Sequence, residues 1–280
     1  MMKRPHKLIT IIALFILPLI SYAQENSSSI LTSTMFGVGS ATIQDTYLSP
    51  LYYEGAGFQI LHERVYSLPK WGEGFSFQQF LKLNIASTEN PAQNNTTTGG
   101  TLSYQGGVLY KIPIDTRIKL YAGGQAEGVV GFIHNQRNGN NPATAKVMAN
   151  LRISAMATYQ FNIKEYPILL RASVSTPFAG VYFAPKFGQS YYEIFGLGNK
   201  HGVVKFGSFH NHTALNGLFT VDLPIKRSTI RLGYLYDGMK TEANYISTLI
   251  STHSLLIGYA KSFTVISPKR RNRDVGQIYY

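Results

Sequence analysis

A long alternation of apolar and polar residues is the feature that most constrains this chain. In AKVMANLRISAMATYQFNI (145–163) the odd positions are all apolar, whereas most even positions are polar. Side chains alternate between the two faces of a β-strand, and no helix produces this period. The pattern is less regular in 54–66, where HER interrupts it, and it recurs in 101–112, 116–132, 168–182 and 228–237. The sequence therefore predicts an all-β fold with long strands.

The predicted strands are too long for a soluble sandwich. Soluble strands average about 5–6 residues, whereas these run for ten or more. Charged residues make up only 14 % of the chain, against about 25 % in an ordinary soluble domain. In a transmembrane barrel the apolar faces point to lipid and the polar faces to the lumen. These observations favour a closed antiparallel transmembrane β-barrel over a sandwich, in which the apolar faces would point inward.

Connections of two lengths alternate along the chain and give the number of strands. Short turns are predicted at 67–74, 113–115, 164–165 and 224–227, and long polar loops at 44–54, 88–100, 134–142, within 184–212 and at 237–245. Outer-membrane barrels alternate short periplasmic turns with longer extracellular loops. About ten strands follow, within a range of 8–12. An extra hairpin at 201–213 would give twelve, and Pro177 requires a bulge or a break in its strand.

The first 23 residues have the composition of a secretory signal peptide. Three basic residues precede an apolar run, Leu8–Ile20, and Ser21 and Ala23 are small residues before a cleavage point at Gln24. The run is too short to cross a bilayer as a helix, and a buried N-terminal helix is the alternative. We therefore expect a signal peptide at 1–23, a short N-terminal segment at 24–31, the barrel at 32–263 and a basic periplasmic tail at 264–280.

The charge and the absence of cysteine narrow the classes of function. Much of the net charge of +12 lies at the two ends of the chain, and no basic helix or stripe is present. We therefore expect no nucleic-acid partner. The absence of cysteine excludes thiol catalysis, thiolate metal sites and a Cys-anchored lipoprotein. We expect no cofactor and no bound metal.

Eight charged residues fall on the polar face of the predicted strands and should point into the lumen. They are Lys82, Lys119, Glu127, Lys146, Arg152, Arg171, Asp222 and Arg231. A ten-stranded barrel is narrow, and an uncompensated buried charge is costly, so these charges should pair. This predicts a plug of ion pairs. A small basic-lined passage for an anionic solute is the alternative.

The predicted long loop within 184–212 contains two groups of candidate functional residues. Tyr191, Tyr192 and Phe195 should fold over the mouth or contact a glycan, a lipid or a protein. His210 and His212 could bind a metal with a third ligand, or activate a hydroxyl nucleophile in a lipid-modifying hydrolase. No acidic residue has a recognisable spacing from them, and the His-x-Ser pair of barrel phospholipases is not matched. We therefore assign no catalytic residue and expect a non-enzymatic protein.

Two resemblances agree with this interpretation. The last strand, HSLLIGYAKSF, is similar to the strand that the barrel-assembly machinery recognises, which would be a partner during biogenesis. LSPLYYEG (48–55), NPATAKVMANL (141–151) and FGQSYYEIFGLGN (187–199) resemble an uncharacterised domain-of-unknown-function family of exported Gram-negative outer-membrane β-barrel proteins. This resemblance covers most of residues 32–263 and implies export and a barrel, but no activity.

We therefore expect an outer-membrane protein, in contact with outer-membrane lipid, that has a structural, binding or narrow-channel role in the cell envelope. A lipid-modifying hydrolase that uses His210 or His212 is the alternative function. The long loops could bind a small anionic solute, a glycan or a protein.

Overall fold

A computed structural model describes residues 28–139, 141–164, 166–225 and 228–265. Its strands are β1 (Ser28–Asp45), β2 (Ser49–Ser67), β3 (Phe75–Glu89), β4 (Thr96–Pro113), β5 (Ile118–Asn135), β6 (Ala143–Ile163), β7 (Tyr166–Phe183), β8 (Val204–Gly207), β9 (His212–Ile225), β10 (Ser228–Ala243) and β11 (Ile246–Val265). There are also a 3-10 helix, Pro69–Trp71, and a short helix α1, Tyr191–Phe195. The predicted signal peptide and residues 266–280 of the predicted tail lie outside the described residues.

Ten of these strands form a closed antiparallel barrel, as the sequence predicts. Neighbours in the chain pair with one another, β7 pairs directly with β9, and β1 pairs with β11 over its whole length to close the sheet. The short strand β8 pairs only with Gly180–Phe183 at the end of β7. The segment 201–213 therefore adds no membrane-crossing hairpin, and the twelve-strand alternative is wrong.

The two ends of the barrel differ in their connections. One end, here called the terminus end, carries Ser28, Val265 and the connections β2–β3, β4–β5, β6–β7 and β9–β10. The opposite end is called the loop end. Four of its five connections are shorter than predicted: for example, β1 and β2 are separated only by 46–48, and β10 and β11 only by Asn244 and Tyr245. Polar residues there belong to strands that continue beyond the apolar band into water.

A bulge in β7 changes which side chains of that strand face the lumen. The register with β6 shifts between Leu151 and Arg152, whose partners are Ala179 and Pro177, so the irregularity expected at this proline is confirmed. The extra residue reverses the alternation beyond the bulge. Tyr182, which an uninterrupted alternation over 168–182 would place on the outer face, is therefore buried inside the barrel.

The outer wall is apolar and the lumen is polar over most of the barrel. On β6, Leu151 is 53 % exposed, whereas the adjacent Arg152 is 2 % exposed and faces inward. All nine outward positions from Ala145 to Phe161 carry apolar or aromatic side chains. Within the described ranges, no helix has the length and apolar character needed to cross a membrane.

A charge on this outer wall should destabilise the barrel according to its depth. Leu151→Arg should lower the free energy of unfolding by about 2–4 kcal/mol, because the guanidinium would lie in the middle of the lipid. Ile163→Arg, on the same face but at the terminus end of β6, should cost about 0–1 kcal/mol. Unfolding by guanidinium chloride in lipid vesicles measures the loss of free energy for both variants. Equal losses would contradict the assigned outer face.

Candidate functional site

A cluster of charges centred on Glu63 crosses the lumen near the terminus end. The Glu63 carboxylate accepts two hydrogen bonds from Arg171, at 2.7 and 2.6 Å, one from Arg231 at 2.9 Å and one from Gln78 at 2.7 Å. Arg231 also donates to Asp222 through Nε and Nη2, at 2.6 and 2.7 Å. The side chains of Glu63, Arg171 and Arg231 are 0 % exposed. The two arginines and two carboxylates balance in charge.

The positions of the strands explain why this cluster spans the lumen. In the ring of ten strands, β2 with Glu63 and β7 with Arg171 lie five places apart, on opposite sides. Their ion pair therefore spans the lumen. Next to the cluster on its loop-end side lies an apolar layer on one side of the lumen, formed by Met35, Leu61, Leu218, Leu235 and Leu256.

A second cluster lies nearer the middle of the lumen, around Arg152. Its Nη1 donates to Glu127 at 2.7 Å, and its Nη2 donates to the carbonyl oxygen of Ser175 at 3.0 Å. Asn150 donates to the same Glu127 oxygen at 2.9 Å. The arginine fork thus ties β6 to β5 on one side and to β7 on the other.

A chain of hydrogen bonds continues from Arg152 across the lumen. Arg152 donates to Asn216, Asn216 donates to Asp237, and Lys82 forms an ion pair with Asp237. The Lys82 and Asp237 side chains are 13 % and 18 % exposed, which makes them the least buried of the lumen pairs. Both line a small cavity between the clusters.

A third cluster of charges lies at the loop end. Lys146 Nζ is 2.7 Å from Asp45 Oδ2 and donates to the Thr248 hydroxyl at 2.9 Å. The Thr144 hydroxyl donates to the same Asp45 oxygen at 2.6 Å. The three clusters together contain five cations and five carboxylates. They are Lys82, Lys146, Arg152, Arg171 and Arg231, and Asp45, Glu63, Glu127, Asp222 and Asp237.

The structure brings together seven of the eight charges that the sequence assigns to the lumen. The eighth, Lys119, is half-buried at the terminus end, outside the three clusters. Asp45, Glu63 and Asp237 are members that the sequence analysis missed. Glu63 follows the inward residues Gln59 and Leu61 at intervals of two, so the alternation of β2 places it on the lumen face. The adjacent polar residues His62 and Arg64 made this alternation hard to recognise in the sequence.

The space left between the clusters is small. Two cavities of ≈ 40 Å³ each share Lys82, Ser103 and Asn216 in their walls. A volume of this size holds about three water molecules. Three buried atoms lining the first cavity accept no hydrogen bond from the described protein groups, namely Asn84 Oδ1, Asn150 Oδ1 and His212 Nε2. The cavities therefore suit internal water rather than a solute.

The two candidate histidines lie in different surroundings. His212 is the first residue of β9 and is 1 % exposed inside the barrel, where its ring centroid is 5.6 Å from that of Tyr182. Its assignment to a loop is therefore wrong, because β9 begins earlier than the polar residues suggested. His210 is exposed, and its Nδ1 is 2.7 Å from Ser208 Oγ. In the part of the chain that the structure describes, no three acidic or histidine side chains could hold a metal.

Residues 184–211, here called the cap segment, cross the mouth of the barrel at the loop end. The Tyr47 hydroxyl donates to the Gln189 carbonyl oxygen at 2.7 Å, and the Tyr191 hydroxyl accepts from the Ala145 amide at 2.5 Å. Burial raises the pKa of both tyrosines, and their mutual proximity raises the pKa of Tyr47 further. Both phenols therefore stay protonated at neutral pH and fix the segment to the barrel.

The predicted loop aromatics divide into two roles in the cap segment. A capping box between Ser190 and Glu193 starts α1. Tyr191 is half-buried and stacks on Phe183, with ring centroids 6.1 Å apart. Tyr192 and Phe195 are mostly exposed. The structure thus uses Tyr191 for attachment and leaves the other two on the surface.

Comparisons with known proteins match nearly the whole chain to one family. The profile described as "Protein of unknown function (DUF3316)" matches residues 8–270. No match is found among curated proteins.

Among solved structures, the chain is similar to the transport unit of the autotransporter AIDA-I from Escherichia coli, at 9 % identity and a TM-score of 0.44, covering 95 % of this chain and 100 % of that one. It is also similar to the outer membrane protease OmpT from Escherichia coli, at 7 % identity and a TM-score of 0.43, covering 87 % of this chain and 99 % of that one. A third similar structure is the COG4313 outer membrane channel from Pseudomonas putida F1, at 9 % identity and a TM-score of 0.34, covering 87 % of this chain and 98 % of that one.

Removing the central carboxylate should strongly destabilise the barrel. Glu63→Ala leaves Arg171 buried without its partner and should cost about 3–5 kcal/mol of unfolding free energy. Glu242→Ala is the control, since this carboxylate pairs with Lys240 at the exposed surface and its loss should change little. Denaturant titrations in vesicles compare the two. A small loss for Glu63→Ala would show that the cluster contributes little to stability.

Proposed function

The chain belongs to the DUF3316 family, and we propose that it is an outer-membrane β-barrel protein that conducts no solute and catalyses no reaction. Its role is structural or binding, and it acts through its surfaces rather than through its lumen.

Placement in the outer membrane is supported by the outer wall and by the closure of the sheet. The apolar side chains of β6 face outward along most of the strand. In lipid every backbone polar group needs a partner within the protein, and a closed barrel supplies one for each. The expected signal peptide would export the chain from the cytoplasm.

The Glu63-centred cluster is the observation that carries the non-conducting role. A continuous water column would have to pass between Glu63 and Arg171, whose bidentate pair spans the lumen. Separating buried, paired charges is costly, because each charge then lacks its partner in a region with little water. The adjacent apolar layer offers a permeating ion no replacement for its hydration shell.

Conductance measurements test this role. The wild-type protein in planar bilayers should show no steady current. The double variant Glu63→Ala/Arg171→Ala keeps the lumen neutral, leaves the Arg231–Asp222 pair in place and should leak, because two plugging side chains are gone. Lys240→Ala/Glu242→Ala removes an exposed pair and should stay silent. A stable open current from the wild type would instead support the basic-lined passage.

One observation favours a second candidate function, a lipid-modifying hydrolase. Ser208 Oγ and His210 Nδ1 are 2.7 Å apart, which is the distance of a serine nucleophile from its base. Catalytic pairs also need a third group that orients the base, and no carboxylate pairs with His210 among the described residues. The contact links residues two apart in one turn, closed by the bond from the Asn211 amide to the Ser208 carbonyl oxygen at 3.0 Å. We therefore propose a role for this pair in the turn only.

An assay for fatty-acid release distinguishes the two functions. Purified protein mixed with phospholipid or lipid A should release no fatty acid, and Ser208→Ala and His210→Ala should behave like the wild type. The hydrolase would be established if the wild type releases fatty acid and each substitution abolishes the release. Gel migration with and without heating must then show that both variants still fold.

A further inference from the structure

Two positively charged side chains stand on the outer wall, on either side of the first strand. Most charged residues that face outward on the described strands lie towards the loop end, namely Glu54, Glu89, Lys240 and Glu242. The exceptions are Arg64 of β2 and Lys261 of β11, which lie near the terminus end of the two neighbours of β1. Among the described strand residues, this part of the outer wall therefore carries positive charge and no outward carboxylate.

The register of the sheet places the two cations on one row across three strands. Thr32 of β1 is directly opposite Lys261 on one side and Arg64 on the other. Residues that are directly opposite on neighbouring strands share a face of the sheet. Neighbouring strands are about 4.8 Å apart, so the Cα atoms of Arg64 and Lys261 lie about 10 Å apart with Thr32 between them. Side chains as long as these two can converge on one small anion.

This row lies within the apolar wall rather than on the rim of the barrel. One outward row nearer the terminus end, Ile30 is opposite Tyr66. On the loop-end side comes a row with Thr34 and His62, which hydrogen-bond each other, and beyond it the exposed Phe36. A charged side chain on a lipid-facing wall is costly and marks a site of function by default. The cations therefore need an anion that reaches them along this wall.

The Arg64 side chain is directed towards the terminus end. Its guanidinium carbon is 5.9 Å from the centroid of the Tyr66 ring, and Tyr66 is the outward residue of β2 next nearer that end. The guanidinium forms no ion pair with any residue that the structure describes. Long cationic side chains in a membrane wall bury their stems along apolar surface and bring the charge to the polar layer. The guanidinium is thus placed to meet the lipid headgroups at this end of the barrel.

We infer that Thr32, Arg64 and Lys261 form a binding site for the phosphate of a phospholipid in the leaflet at the terminus end. The arginine fork donates two parallel hydrogen bonds to phosphate oxygens. The lysine ammonium adds a second positive charge, and the threonine hydroxyl donates a further hydrogen bond. The acyl chains lie along the apolar wall that includes Phe36. The inference rests on the proposed outer-membrane placement, in which this leaflet faces the periplasm.

A phospholipid suits this site better than a second copy of the chain. Two copies that met through this wall would need a carboxylate at the depth of the cations. On the described strands the outward carboxylates Glu54, Glu89 and Glu242 all lie towards the loop end. Phospholipid headgroups border the apolar band all around the barrel and so bring a phosphate to this depth. Cations close to such a surface attract anionic lipid.

Native mass spectrometry of the protein in detergent tests the site, with phosphatidylglycerol as the probe. The wild type should retain one tightly bound lipid, and Arg64→Gln/Lys261→Gln should bind it about thirtyfold more weakly, since each cation near an anionic surface contributes about a fivefold factor. Lys70→Gln/Arg117→Gln removes two exposed cations from the terminus-end connections and should bind like the wild type. Gel migration with and without heating should show both variants folded. Equal affinity of all three proteins would overturn the inference.

Two further probes identify the part of the lipid that is recognised. Diacylglycerol with the same acyl chains lacks the phosphate, and it should bind weakly and equally to the wild type and to Arg64→Gln/Lys261→Gln. Glycerol 3-phosphate has the phosphate without the chains, and at millimolar concentration it should leave phosphatidylglycerol bound. Tight binding of diacylglycerol would contradict recognition of the phosphate. Displacement by glycerol 3-phosphate would show a site for free phosphate esters instead of a lipid site.

Fluorescence quenching separates a failure of this site from a failure of the membrane placement. The chain has no cysteine, so a fluorophore at Leu151→Cys reports the outer wall alone, and brominated acyl chains in vesicles should quench it. If the label is quenched while Arg64→Gln/Lys261→Gln binds phosphatidylglycerol like the wild type, this inference is overturned and the barrel placement stands. If the label is not quenched, the membrane placement itself fails, and this inference fails with it.

Discussion

The hydrogen bonds between β1 and β11 are the interaction on which the rest of the structure depends. They pair Ser28–Asp45 with Thr248–Val265 and convert an open sheet into a ring. An open edge in lipid would leave a row of backbone groups without partners, at several kcal/mol each. Closure with ten strands also fixes the diameter, and a barrel of this size has a lumen that side chains can fill. The contents of the lumen follow from that diameter.

A narrow lumen that contains charges must balance them. The five cations and five carboxylates inside the barrel do so, and each cluster links strands that are not neighbours. Such pairs contribute little net stability compared with apolar packing, but each is costly to break because it leaves a buried charge alone. The network therefore ties strands on opposite sides of the wall to one another. In the proposed function it also closes the lumen, so that the barrel acts through its outer wall and its ends.

The loop end is where this barrel departs from a plain cylinder. The bulge at Pro177 turns Tyr182 inward and Val181 and Phe183 outward, and β8 then pairs with this reoriented part of β7. The same change gives Tyr191 and Phe195 an aromatic surface to stack on. A single extra residue in one strand thus determines where the cap segment sits and which of its side chains remain exposed.

The sequence by itself determined the barrel, its ten strands and the inward side of Arg152, Arg171, Asp222 and Arg231, because side-chain alternation is a local property of each strand. It did not determine their partners. Glu63, hidden beside His62 and Arg64, meets Arg171 only because closure places β2 opposite β7. The inward turn of Tyr182 and the start of β9 at His212 likewise depend on the register between strands. Register is decided by the closed sheet as a whole, which no single segment encodes.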